Sequence, residues 1–279
     1  MSAPRVYVAM CLRRLCAALD RTVRVMWPAS CCVAALIVSD PAASGGQGLM
    51  TTPIGFRSGF TEGAVTTRPG SLAYDGGMSV RRTAGVTTYR VGEFSVRLPV
   101  TDRLEARAYA NSYTWRQAPS GSYSGREDLS LAMAAMLVTH RGIRPVTTLI
   151  VRVETPTGTL PTREHTWRPS ARCSLGWELP GRIALHSNIG VAHETLGGEH
   201  FAREFASVWL SRHLAGPLGF YGEVYGSTQE RPGGGATRYL HGGLTYLVRA
   251  SLHVDVHAGL GSRTAGSPRW VGVGFRQRA

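Results

Sequence analysis

The sequence predicts an all-β protein, an antiparallel up-and-down transmembrane β-barrel of about 12 strands. Three observations predict it. "SLHVDVHAGLG" (251–261) alternates almost without fault, placing Leu252, Val254, Val256, Ala258 and Leu260 on one side and Ser251, His253, Asp255 and His257 on the other. From about residue 71 the chain repeats such extended segments, most of them roughly ten to fourteen residues long, which suits a tilted membrane strand. The connections between them, apart from a brief first link at 83–86, alternate short and long, as they do where one end of a barrel carries tight turns and the other carries loops.

The chain opens as a targeting segment, expected over residues 1–44. Arg13, Arg14, Arg21 and Arg24 precede the apolar run "VMWPASCCVAALIV" (25–38), and Ala42, Ala43 and Ser44 supply a small-residue cleavage site. The run is too short to cross a bilayer as a helix. Residues 45–70, rich in Gly, Thr and Pro, have no steady period and read as an irregular N-terminal tail before a barrel over 71–279. Strands are expected near 71–82, 87–98, 103–116, 127–139, 145–156, 168–179, 182–194, 201–214, 217–229, 238–249, 251–262 and 268–278. Tight links fall at 99–102, 140–144, 180–181, 216–217 and Ala250; wide ones are expected at 117–126, 157–167, 195–200, 230–237 and 263–267. An even strand count then puts both termini at the end with the tight turns.

The faces decide which side meets lipid. In 103–115, Arg103, Glu105, Arg107, Tyr109, Asn111, Tyr113 and Trp115 oppose Leu104, Ala106, Ala108 and Ala110. Glu93, Ser95 and Arg97 oppose Phe94, Val96 and Leu98; Arg182, His186 and Asn188 oppose Ile183, Leu185, Ile189 and Val191. Arg152 and Glu154 oppose Leu149, Val151 and Val153. The apolar faces hold mainly small and aliphatic residues, too few large ones for a two-sheet core, while the polar faces hold opposite charges that can pair in a lumen. Trp115, Trp167, Trp209, Tyr239 and Trp270 lie near strand ends, as an aromatic girdle would. The apolar side is therefore expected to face lipid.

Composition narrows function. All 31 basic residues are Arg, which excludes a lysine-dependent phosphate loop or Schiff base. The formal charge of +13 is spread singly along the chain rather than gathered in a stripe, so no nucleic-acid partner is expected. Arg116, Arg126, Arg163, Arg168, Arg231, Arg263 and Arg269 fall in or beside the expected outer loops, where lipopolysaccharide phosphates would attract guanidinium groups. Once Cys11, Cys16, Cys31 and Cys32 leave with the signal, only Cys173 remains and no internal disulfide can form.

Several constellations could carry chemistry. His253, Asp255 and His257 share a face, but alternate strand residues sit about 6.5–7 Å apart, wide for one ion; a hydrated luminal face is the expectation, with no metal and no cofactor. "HETLGGEH" (193–200) lacks the second His of a zincin, since Gly197 stands there. Glu105 with Arg97 or Arg107, and Arg152 with Glu154, read as a luminal charge ladder that either filters solutes or stiffens the barrel. Glu223 lies between Tyr221 and Tyr225 on one face, and His241 belongs to the neighbouring strand. The candidate lumen-lining set is thus Glu93, Arg97, Glu105, Arg107, Arg152, Glu154, His186, Glu223, His241, His253, Asp255 and His257. No catalytic residue is assigned.

Four stretches resemble an outer-membrane transporter family named for the MetA pathway of phenol degradation. They are "VRLPVTDRLEARAYA" (96–110), "GREDLSLAM" (125–133) with Pro145 and "ETPTG" (154–158), "GFYGEVYG" (219–226), and "GGLTYLVRASLHVDVHAGLG" (242–261) with "VGVGF" (271–275). The resemblance implies a barrel that passes small, in the family's case hydrophobic or aromatic, compounds. It departs at "FRQRA", where Gln277 and Ala279 stand in place of the aromatics that the barrel-assembly machinery, an expected partner, reads. The resulting expectation is an outer-membrane channel for small-molecule solutes, set among lipid and lipopolysaccharide, with a mild preference for anions. A barrel hydrolase using Asp255 with His241 or His253, and a secreted soluble β-sandwich, are the two alternatives.

Overall fold

The computed structural model describes residues 60–161 and 164–279, so the expected signal over 1–44, residues 45–59 and Arg163 lie outside the described residues. Among the described residues fifteen strands join in one antiparallel sheet. They are β1 (Ala73–Thr83), β2 (Val86–Val91), β3 (Phe94–Pro99), β4 (Leu104–Ala110), β5 (Tyr113–Ala118), β6 (Gly121–Arg126), β7 (Leu129–Val138) and β8 (Val146–Glu154). There follow β9 (Arg168–Leu179), β10 (Ile183–Leu196), β11 (Glu199–Ala215), β12 (Leu218–Ser227), β13 (Thr237–Arg249), β14 (Leu252–Gly261) and β15 (Arg269–Arg278). β2 with β3, β4 with β5, and β6 with β7 are each one interrupted pass, which leaves twelve passes in all. β1 pairs with β15 from Ala73 opposite Arg278 to Arg82 opposite Arg269, and this closes the barrel. Closure removes the unpaired edges that a bilayer could not hydrogen-bond.

The sidedness is that of a membrane barrel. Leu129, Leu131 and Met133 on β7, Val254 and Val256 on β14, and Val271, Val273 and Phe275 on β15 all point outward and are exposed. The opposite faces carry buried Arg97, Glu105, Arg107, Thr148, Ser174, His186 and Glu223. A soluble sheet would bury the first set and wet the second. Here the apolar face is the outside.

The connections differ from expectation in two places. Residues 117–126 are not a wide loop: β5 and β6 pair from Tyr113 opposite Arg126 to Ala118 opposite Gly121, a hairpin that rises above the wall. Residues 195–200 hold a two-residue turn at Gly197 and Gly198, with φ of 63° and 78° and Leu196 paired to Glu199. Consecutive positive φ angles strain any residue with a Cβ, and two glycines meet the demand without a loop.

Side-chain parity also slips where passes break. Gly92 (φ 75°) and Ser112 (φ 135°) each insert a residue out of step. After Ser112, Tyr113 and Trp115 therefore face outward rather than sharing the side of Glu105, Arg107 and Tyr109. The aromatic girdle is smaller than expected. Trp115 and Trp167 are exposed, but Trp209 and Tyr239 are buried in the lumen. Trp270 joins them there, stacked at 5.8 Å on His241. Trp209 shares its strand face with buried Ser207 and Ser211, so alternation, not nearness to a strand end, sets its direction.

Introducing a charge at an outward position tests the sidedness. Val256→Arg in lipid vesicles should lower the unfolding free energy by about 2–4 kcal/mol, measured by denaturant titration, because the guanidinium would sit in hydrocarbon. A change within about 0.5 kcal/mol, normal for an exposed site on a soluble protein, would contradict it.

Candidate functional site

Residues 60–68, the described part of the expected tail, run inside the barrel. Thr61, Glu62, Ala64 and Thr66 are all buried there. "FTEGAVTT" joins no sheet; luminal side chains supply the partners that neighbouring strands would otherwise give its backbone. The Phe60 and Thr61 N–H groups donate to the Glu223 carboxylate on β12, at 2.9 Å and 2.5 Å to Oε1. Glu62 N–H donates to Asn188 Oδ1 at 2.7 Å, while its carbonyl accepts from Ser174 Oγ at 2.6 Å and Asn188 Nδ2 at 2.9 Å. Thr148 Oγ1 donates to the Ala64 carbonyl. Thr67 N–H donates to Glu105 Oε2 at 2.5 Å, and Arg172 Nη1 donates to the Phe60 carbonyl at 2.9 Å.

Glu62 is the hub of this segment. Its carboxylate lies 2.7 Å from Arg107 Nη1, 3.7 Å from Arg97 Nη2 and 3.8 Å from Arg152 Nη1. The Tyr109 hydroxyl donates to it at 3.1 Å. Glu105 completes the group, 2.6 Å from Arg107 Nε and 3.9 Å from Arg97 Nη1. β3 and β4 deliver these arginines because alternation puts Arg97, Glu105, Arg107 and Tyr109 on the luminal side.

Above the inserted segment, toward the loop end, is a chamber of about 440 Å³ floored by Phe60 and Phe205. Its lining counts five arginines (90, 152, 168, 172, 203) against four glutamates (93, 127, 154, 194). Most of that charge is paired. Arg168 Nη2 bridges Asp128 at 2.8 Å and Glu154 at 2.9 Å, Arg203 meets Glu194 at 2.6 Å, and Arg90 meets Glu127 at 3.2 Å. Arg168 is therefore a luminal residue, not a loop residue for lipopolysaccharide, since it opens β9 on the inward face.

The structure brings the sequence-derived candidates together unevenly. Arg97, Glu105 and Arg107 form the cluster around Glu62. Arg152 does not pair with Glu154; it reaches toward Glu62 and lies 3.6 Å over the Tyr109 ring, leaving Glu154 to Arg168. Glu93 borders the chamber and accepts from Ser79 Oγ at 3.2 Å. Glu223 takes the inserted backbone and, at 3.1 Å, His241 Nδ1. His186 is fully buried beside Gly176, where a Cβ would come within 2.9 Å of its ring. Asp255 Oδ1 meets His257 Nδ1 at 3.1 Å, and His253 sits opposite Arg276 in the ladder. Among the described residues no group of three or more metal-ligating side chains converges. Sequence reasoning missed Phe60, Glu62, Arg172 and Arg203. Strand alternation in β9 and β11 pointed to the two arginines; nothing periodic pointed to Phe60 or Glu62.

A family model described as "Putative MetA-pathway of phenol degradation" matches residues 55–279. No curated relative matches the sequence. Among solved structures, an outer membrane channel from Pseudomonas putida F1 is similar at 11% identity and a TM-score of 0.53, over 75% of this chain and 94% of that one. The NanC porin is similar at 8% identity and a TM-score of 0.52, over 73% of this chain and 98% of that one. At these identities the likeness is one of fold.

Removing the hub charge tests the cluster. Glu62→Gln leaves buried guanidinium groups without their shared counter-ion and should lower stability by about 3–5 kcal/mol in denaturant titration. Glu178→Gln, at an exposed position, should stay within about 0.5 kcal/mol.

Proposed function

Because the chain belongs to the family described as "Putative MetA-pathway of phenol degradation", we propose that it is an outer-membrane channel passing small molecules through its charged lumen. One observation carries this reading: the barrel is apolar outside and ion-paired inside, with a chamber of about 440 Å³, within the range of small-molecule sites. A filled structural barrel has no need of that space. The likeness to an outer membrane channel supports the same location.

Transport would be passive. Solute enters at the loop end, occupies the chamber above Phe60, and leaves past the inserted segment when Glu62 and its arginines yield. A hydrolase is less well supported, because Asp255 Oδ1 meets His257 Nδ1 on the barrel wall. Export through a cleaved signal over 1–44, and contact of Arg126, Arg231, Arg263 and Arg269 with lipopolysaccharide phosphates, complete the reading. Ion pairing cancels most of the lumen's charge, so selectivity among ions should be weak and favour anions.

Planar-bilayer recordings of the refolded barrel test this. Measurable conductance with a reversal potential modestly favouring chloride is expected, and Glu62→Gln should raise the conductance by loosening residues 60–68. An insulating barrel, with and without that substitution, would contradict the channel; a cation-favouring potential would contradict the selectivity.

A further inference from the structure

Arg172 differs from every other arginine of the chamber. Arg90, Arg152, Arg168 and Arg203 each lie within 4 Å of a carboxylate, whereas Arg172 has no such partner among the described residues. One nitrogen, Nη1, is used: it donates to the Phe60 carbonyl at 2.9 Å and to Asn188 Oδ1 at 3.3 Å. No described residue accepts from Nε or Nη2, and the side chain borders the chamber. These two nitrogens are not sealed away from the cavity, so they stand available to a solute that enters it.

The surroundings restrict what that something is. Arg172 packs 5.3 Å from the centroid of Phe60 and 4.9 Å from that of Phe205, which fixes the guanidinium plane in one place. The two rings meet edge to face at 5.2 Å; Phe205 is buried and backs Phe60, whose partly exposed ring gives the apolar floor. Phe60 is itself held from behind by stacking on Tyr225 at 4.8 Å. Gly190 makes room for Phe205, since a Cβ there would lie within van der Waals radii of the ring. Fixed donors beside a fixed apolar floor suit a ligand with a planar anionic end and a hydrophobic body.

Resting on the channel reading, we infer that the chamber is a binding site for a small organic carboxylate whose hydrophobic body is an aromatic ring. The carboxylate accepts from Nε and Nη2 of Arg172, which present two parallel donors to two oxygens, and the ring lies against Phe60, which Phe205 holds in place from below. Arg152 and Arg203 add positive potential on either side without giving up their own pairs. The bound solute then occupies the space directly above the segment that leads onward through the barrel, so this site sets which solutes the channel favours. A neutral phenol would lose the paired hydrogen bonds, and acetate would lose the ring contact.

Calorimetric titration of the full-length refolded barrel tests the inference, with benzoate as probe and acetate and benzyl alcohol as controls. Saturable one-to-one benzoate binding is expected, with each control weaker by about tenfold or more. Arg172→Met should weaken benzoate by about tenfold or more while sparing benzyl alcohol, with Arg172→Lys falling between. Should Arg172→Met fail to fold, Phe205→Leu provides a second arm, expected to weaken benzoate severalfold and leave acetate unchanged. Benzyl alcohol binding as tightly as benzoate, or benzoate affinity indifferent to Arg172 and Phe205, would overturn the site. Conductance without benzoate binding overturns the site and leaves the channel standing; benzoate binding in an insulating barrel keeps the site and removes the channel.

Discussion

The Glu62 carboxylate, held between Arg107, Arg97 and Arg152 inside the barrel, is the interaction on which the rest depends. A closed strand barrel in lipid turns its polar residues inward, into a space where each charge must find a partner. β3, β4 and β8 place three arginines there, and the wall itself offers Glu105 to two of them, Arg97 and Arg107. The second carboxylate comes from a segment outside the sheet. Inserting the segment thus sets the Glu62 carboxylate among the wall's arginines and narrows the lumen in one step.

That segment shows how a lumen can hold chain without secondary structure. Glu223, Asn188, Ser174, Thr148 and Glu105 come from different strands, yet each faces a backbone group of the inserted residues. Side chains thereby take the role of a neighbouring strand. The described part of the segment reaches Phe60, whose ring borders the chamber, and the arginines beyond it line that chamber. The inserted segment and the chamber therefore share residues, with Arg172 reaching both the Phe60 carbonyl and the cavity.

Much of the barrel was legible because strand alternation is local. The twelve passes, the outward Val254 and Val256, and the inward Arg97, Glu105 and Arg107 all follow from a period of two. Legibility stopped where the period slips or is missing. Ser112, with φ of 135°, reverses the faces of Tyr113 and Trp115, and nothing in its chemical type announces that. The Gly197–Gly198 turn read as a loop because two glycines serve either purpose. Phe60 and Glu62 could not be read at all: their partners lie far along the chain, as with Glu223, 163 residues from Phe60. Arg152 paired unexpectedly because its nearest carboxylate in sequence, Glu154, was not its nearest in space.

The most direct measurement is a disulfide trap between the inserted segment and the wall. Thr61 Oγ1 donates to Ser207 Oγ at 2.7 Å, so cysteines at the two positions would bring their sulfur atoms into bonding range. In the barrel folded in outer membranes, with the other cysteines changed to serine, Thr61→Cys with Ser207→Cys should form an intramolecular disulfide under mild oxidation and resist thiol labelling. Two freely labelled thiols in the folded barrel would mean that residues 60–68 do not occupy the lumen, and the arrangement around Glu62 would fall with them.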